Sequence, residues 1–275
     1  MKLTATLKKV GLSSKSKDYK RSEKVEVTRT VGVSTNGGLV QNSFYGLRVE
    51  DKEVSLNVPD VANIHAIYES KDTNLPSLDR LTFVSGLSLD TNTVVGEKIV
   101  GKTSRAIGQV VNRVSATEIE FVYLNANTFN AGETVTFKES SISTNIQKIT
   151  LGNYVNRTDN YTLDKGHKKQ YSDYSKIVRK PNSSIPSKKL LVIFDKYQVQ
   201  SGNSGDVFTA NSYTKDRYTY DVPQVGRDRA TDILDFRPRV KPFDPSATTD
   251  RSPFAYNARI FETDINYVVS PDESS

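Results

Sequence analysis

The chain has 275 residues, with 38 Lys and Arg against 32 Asp and Glu, for a net charge of +6. It contains no Cys and two distant His, His65 and His167, which excludes thiol catalysis, Cys-based zinc sites, disulfide scaffolds and a His-rich metal site within one chain. No run approaches the length of about 18 apolar residues that a spanning helix needs, and the start lacks a signal-like apolar stretch.

Residues 1–24 hold eight basic groups (Lys2, Lys8, Lys9, Lys15, Lys17, Lys20, Arg21, Lys24) against Asp18 and Glu23, so this segment carries the whole +6 and the remainder balances. Polar, basic and without a sustained period, residues 1–23 read as a flexible arm. From Lys24 the pattern alternates, with Val25 and Val27 opposite Glu26 and Thr28, as a half-buried strand requires. Asn36-Gly37-Gly38 marks a turn. Strands are predicted at 45–49, 54–58 and from 64 to 68, with Pro59-Asp60 breaking the run between the last two.

Residues 84–140 read as an inserted unit. Gly96-Glu97-Lys98-Ile99 returns 36 positions later as Gly132-Glu133-Thr134-Val135, and strand-like segments at 106–114 and 118–124 lie between the copies. Two copies are too few for a solenoid, so a small β-barrel or β-sandwich is expected. Further strands are predicted from 146 to 151, from 154 to 163 and near 174–178. The run Leu190-Leu191-Val192-Ile193-Phe194, bounded by charges on both sides, predicts a central strand buried on both faces. Ser201–Asp206 reads as a hairpin loop, and 207–213, 217–222 and 233–240 as late strands held to edges by prolines. The fold class is therefore mainly β with little helix: a β-sandwich-like body formed by 24–83 and 141–275, a nested module at 84–140, and the arm at 1–23.

Three features invite chemistry. Asp232, Asp235, Arg237 and Arg239 form the densest charged cluster, but carboxylates three apart on a strand face opposite ways. They read as structural ion pairs rather than an acid–base couple. Lys165, Lys168, Lys169, Lys176, Arg179 and Lys180, with Tyr171 and Tyr174 among them, form a basic surface that reads as a solvated face or as a contact with an acidic neighbouring subunit. Stacking on single-stranded nucleic acid is the competing reading, which the balanced charge of the remaining chain disfavours. His65 sits on a strand between apolar neighbours as a partly buried structural residue, and His167 lies in a polar turn. Ser201-Gly202-Asn203-Ser204-Gly205 does not match a nucleophile elbow, and no phosphate loop or H-E-x-x-H occurs. No catalytic, cofactor or metal residues are assigned.

Taken in order, Leu163–Lys180, then Leu191–Asp195 with Gly205–Phe208 and Asn211–Tyr213, then Asp232–Val240 with Ser252-Pro253-Phe254, resemble a domain of large tail-fibre-like structural proteins. These proteins belong to contractile-tailed phages, especially those of cyanobacteria and marine bacteria. Tyr45–Val49, Val54–Val61 and the paired Gly-Glu turns extend the resemblance over residues 40–275. It implies a non-enzymatic virion component of the tail fibre or baseplate, made in the host cytoplasm. It further implies other virion subunits as partners, a homotrimer, no cofactor, no nucleic acid and no membrane insertion. Such proteins are much longer, so the chain is expected to be a fragment or a truncated homologue. Two rival functions remain. One is a receptor adhesin stacking host-surface glycans on Tyr197, Phe208, Tyr213, Tyr218 and Tyr220. The other is a polysaccharide-degrading enzyme with two carboxylates across a groove.

Overall fold

A computed structural model describes residues 10–28, 45–46, 48–56, 58–165, 175–200, 205–206 and 212. Its strands in chain order are β1 (Lys17–Val27), β2 (Tyr45–Gly46), β3 (Glu53–Ser55), β4 (Val61–Ser70), β5 (Asp79–Phe83), β6 (Lys98–Gly101) and β7 (Ile107–Arg113). They continue with β8 (Glu118–Tyr123), β9 (Thr134–Phe137), β10 (Ser143–Thr150), β11 (Tyr154–Asn156), β12 (Tyr161–Asp164), β13 (Lys176–Arg179) and β14 (Leu190–Val199). Among the described residues, the helical elements are α1 (Leu89–Asn92) and a 3-10 turn at Thr158–Asn160. No helix among the described residues is long and apolar enough to cross a membrane. The protein is mainly β, as its alternating sequence requires.

Among the described residues, two sheets make the body. One has the order β1-β14-β4-β11 and the other β12-β13-β3-β2. Val27, Val54, Leu56, Val61, Ile67, Ile177, Leu190, Val192 and Phe194 share one core between them. The apolar run 190–194 supplies β14, which lies between β1 and β4 and is buried on both faces. Leu190, Val192 and Phe194 point into the body core, while Leu191 and Ile193 point the other way, into a second cluster with Val111 and Val122.

That second cluster joins the body to a closed six-stranded barrel, ordered β10-β5-β8-β7-β6-β9. Its interior is apolar, with packed rings among aliphatic side chains: Phe121 meets Phe129 and Tyr123 edge-on at 5.3 and 4.9 Å, and Phe83 meets Phe137 at 5.7 Å. The nested module is therefore wider than the expected 84–140. Removing the last sheet edge requires β5 to pair with both β8 and β10, so the ring runs from Asp79 to Thr150.

The expected arm is corrected as well. Residues 17–23 belong to β1, and their basic side chains are partly internal: Lys17 is fully buried and Arg21 nearly so. Composition misled here because both cations find carboxylate partners far along the chain, Asp60 and Glu139. Residues 1–9 lie outside the described residues, as do the late strands expected at 217–222 and 233–240 and, apart from the buried Ser212, the one expected at 207–213.

The 36-residue repeat is a structural symmetry. In the β6–β9 ladder, Ile99 pairs with Phe137 and Gly101 with Val135 around a central Val100–Thr136 pair, so the two copies exchange about that centre. The equivalence extends outward. Val110 opposite Phe121 in one half corresponds to Ile146 opposite Phe83 in the other, and the next position is a bulge in both. The barrel is thus two three-stranded units, β6-β7-β8 and β9-β10-β5, related by a pseudo-two-fold axis.

Candidate functional site

Polar chemistry is concentrated where the barrel meets the sheet. β1 shifts register between Lys20 and Glu23, and Ser22 there adopts a left-handed φ of 53°. The bulge turns Arg21 and Ser22 out of the ladder toward the barrel. The Ser22 amide donates to Asp195 Oδ1 at 2.8 Å, and the Tyr19 hydroxyl donates to Asp195 Oδ2 at 2.9 Å. His65 Nε2 lies 2.8 Å from the same Oδ2, a close contact that is not aligned as a hydrogen bond. From the barrel, Gln109 Nε2 donates to Ser22 Oγ at 2.9 Å, and Ser22 Oγ donates to the Val110 carbonyl at 2.9 Å.

These are types of residue that could build a nucleophile–base pair, but they are not arranged as one. The serine hydroxyl is spent on a backbone carbonyl, and the carboxylate bridges Ser22 and His65 rather than supporting the histidine behind it. Asp195 and Gln109 are fully buried, so no substrate reaches them. The cluster can pin β1, β4, β14 and β7 together and little else. Beside it, Arg21 donates to the Gly96 carbonyl at 3.0 Å and grips both oxygens of Glu139, with Nη2 3.0 Å from Oε2. Gly96 is required at this spot: its φ is +86°, and a Cβ would stand 2.4 Å from Arg21 Cβ.

Each Gly-Glu turn is held by its own carboxylate. Glu97 accepts from the amides of Val94 (2.7 Å), Glu139 (3.2 Å) and Ser140 (3.1 Å), and from the Ser140 hydroxyl (2.7 Å). Glu133 accepts from the amides of Asn130 (2.7 Å), Thr103 (3.1 Å) and Ser104 (3.0 Å), the same pattern displaced by 36. Burial alone would raise the Glu133 carboxyl. The hydrogen bonds from Ser104, Asn130 and Thr103 outweigh it and hold the group below its ordinary range.

The two connections into the barrel are also tied. Asp79 accepts from the Tyr154 hydroxyl at 2.6 Å and the Gly152 amide at 2.7 Å, while Asp72 accepts from Asn153 Nδ2 at 2.7 Å. Tyr154 stacks on Tyr68 at 3.8 Å, and burial pushes the Tyr68 hydroxyl up to about 12.

Of the basic surface expected from sequence, Lys176 pairs with Glu53 at 2.5 Å, and Arg179 donates to the Glu50 and Asp51 carbonyls at 2.9 and 3.2 Å. Both are therefore engaged within the body. Lys180 is exposed and Lys165 partly so. Lys168, Lys169, Tyr171, Tyr174, Asp232, Asp235, Arg237 and Arg239 lie outside the described residues, as do Phe208, Tyr213, Tyr218 and Tyr220. Tyr197, expected to face a glycan, is instead buried on β14 with its ring 5.1 Å from Tyr19, because it lies on the doubly covered central strand. Among the described residues, no three His, Asp or Glu side chains stand close enough to hold a metal.

Sequence reasoning missed the junction cluster, although one signal was present. On a strand buried on both faces, alternation puts Asp195 on the side of Leu191 and Ile193, hence inside. A carboxylate in that place needs partners, and they come from three other strands. No known protein family, no curated protein and no solved structure matches the chain.

Proposed function

We propose that the chain is a structural component of a phage virion, in the tail-fibre or baseplate region, that works through protein–protein contacts. The observation that carries this reading is the ordered resemblance of its segments from Tyr45 to Phe254 to tail-fibre-like proteins. The architecture supports it physically. A closed barrel on a sandwich, joined by two tied connections and a buried polar lock, presents rigid surfaces to neighbours. The Ser22 hydroxyl and the Asp195 carboxylate at the junction are engaged internally, which suits a rigid structural part better than a reactive cleft. Mass spectrometry of purified particles is the test. The protein is expected at a constant copy number per virion, and its absence from particles would refute the proposal. Light scattering coupled to size exclusion should give three chains of 30.6 kDa, and a monomer at high concentration would remove the trimer from it.

A further inference from the structure

Lys17 and Asp60 form a buried ion pair outside the junction lock. Lys17 Nζ lies 2.6 Å from Asp60 Oδ2, and the side chains are 0% and 2% exposed. Both backbones are fixed. Lys17 pairs with Val199 in the β1–β14 ladder. Asp60 holds a left-handed φ of 57°, its carbonyl accepts from the Tyr197 amide at 3.0 Å, and Val61 after it begins β4. A primary amine and a carboxyl are thus held in contact, shielded from water, one on β1 and the other at the entry to β4, the strands either side of β14.

We propose that Lys17 and Asp60 condense to an intramolecular amide bond. A proton passes from the ammonium to the carboxylate, leaving a neutral amine and a carboxylic acid. The amine nitrogen attacks Asp60 Cγ. The C–OH bond then breaks, and the hydroxyl leaves with a proton from nitrogen. The products are one secondary amide and one water, with no change of oxidation state and no co-reactant. Condensation is unfavourable between free groups in water, but two effects oppose that here. Fixed proximity supplies effective molarities on the order of 10⁵–10⁸ M. The product also replaces two buried charges, which are costly to desolvate, with one neutral group. The bond ties β1 to the start of β4, so that β1 cannot peel away under load. This inference stands apart from the virion reading and can hold in any assembly.

Intact-mass measurement of the denatured full chain tests it. The expected mass is one water below the sequence mass, with a branched peptide joining Lys17 to Asp60 after proteolysis. Asp60→Asn should react by expelling ammonia, and so weigh one ammonia less than its own sequence. Lys17→Arg should keep its full mass. Wild-type protein at full sequence mass after prolonged incubation overturns the proposal, as does a water loss that persists in Lys17→Arg. If either variant fails to fold, the wild-type mass and its branched peptide still decide.

Discussion

Glu97 and Glu133 occupy equivalent places, so removing either should damage the barrel in the same way. In Glu133→Ala, the amides of Thr103, Ser104 and Asn130 lose their acceptor within a turn that water enters only partly. Hydrogen bonds to a charged group are worth about 1.5–3 kcal/mol each, and partial rehydration offsets some of that, so a net loss of about 2–4 kcal/mol is expected. Glu97 is fully buried and has four donors, which places Glu97→Ala at about 3–5 kcal/mol. Gln at either position is a poor substitute, because its NH₂ would face amide donors. Urea unfolding followed by circular dichroism should show a lower midpoint with an unchanged slope. The pH dependence has a definite sign. The folded Glu133 carboxyl lies below its ordinary range, so its contribution is present above the unfolded value of roughly 4 and is lost as the pH falls through the folded value. Glu133→Gln should therefore lose less stability on acidification than wild type does. A Glu133→Gln protein as stable as wild type at neutral pH would refute this account of the turns.

Gly96→Ala and Gly132→Ala separate conformational strain from contact. Both glycines have positive φ, at +86° and +83°, costing about 1–2 kcal/mol for a side chain, but only the Gly96 Cβ meets Arg21. Gly96→Ala should cost at least about 1 kcal/mol more in the same urea assay, and equal losses would argue against the Arg21 contact. Asp195→Ala strips the acceptor from the Tyr19 hydroxyl and the Ser22 amide and should cost about 3–5 kcal/mol by thermal or urea unfolding. A loss below about 1 kcal/mol would show that the junction cluster is not a lock.

Periodicity made the strands legible, because alternation and the 190–194 run are local consequences of which faces are buried. The Gly-Glu repeat likewise announced the nested module, since a positive-φ glycine followed by a turn-capping carboxylate is a local device. What sequence could not carry was partnership across long separations. Lys17 and Arg21 looked like arm charges because Asp60 and Glu139 lie 43 and 118 positions away. The barrel limits were misjudged for the same reason: β5 closes a ring whose other strands follow it in the chain, and its own alternation does not reveal which partner it joins. The junction cluster draws on four strands, and no window of sequence contains more than one or two of its members.

A pseudo-two-fold barrel offers two equivalent outer faces, yet the body covers one of them. On the first unit, Val111 and Val122 are buried against Ala66, Tyr68, Leu191 and Ile193. The equivalent positions on the second unit are Gln147, which is exposed, and Val84, which is 47% exposed. Gln109 reaches the lock, whereas its counterpart Asn145 is exposed and bonds Thr134. Divergence at a few outward positions therefore decides which face docks, while the inward ones keep the barrel closed. Val111→Gln tests this directly. It buries an unpaired amide at the junction at a cost of about 1–3 kcal/mol and leaves the barrel core untouched. Proteolysis should then speed up at the connections 71–78 and 151–153, while a fragment spanning 79–150 resists cleavage. Connections as protected as in wild type would mean that the apolar face does not set the docking. Cleavage inside the barrel at the same rate would mean that barrel and body unfold as one unit.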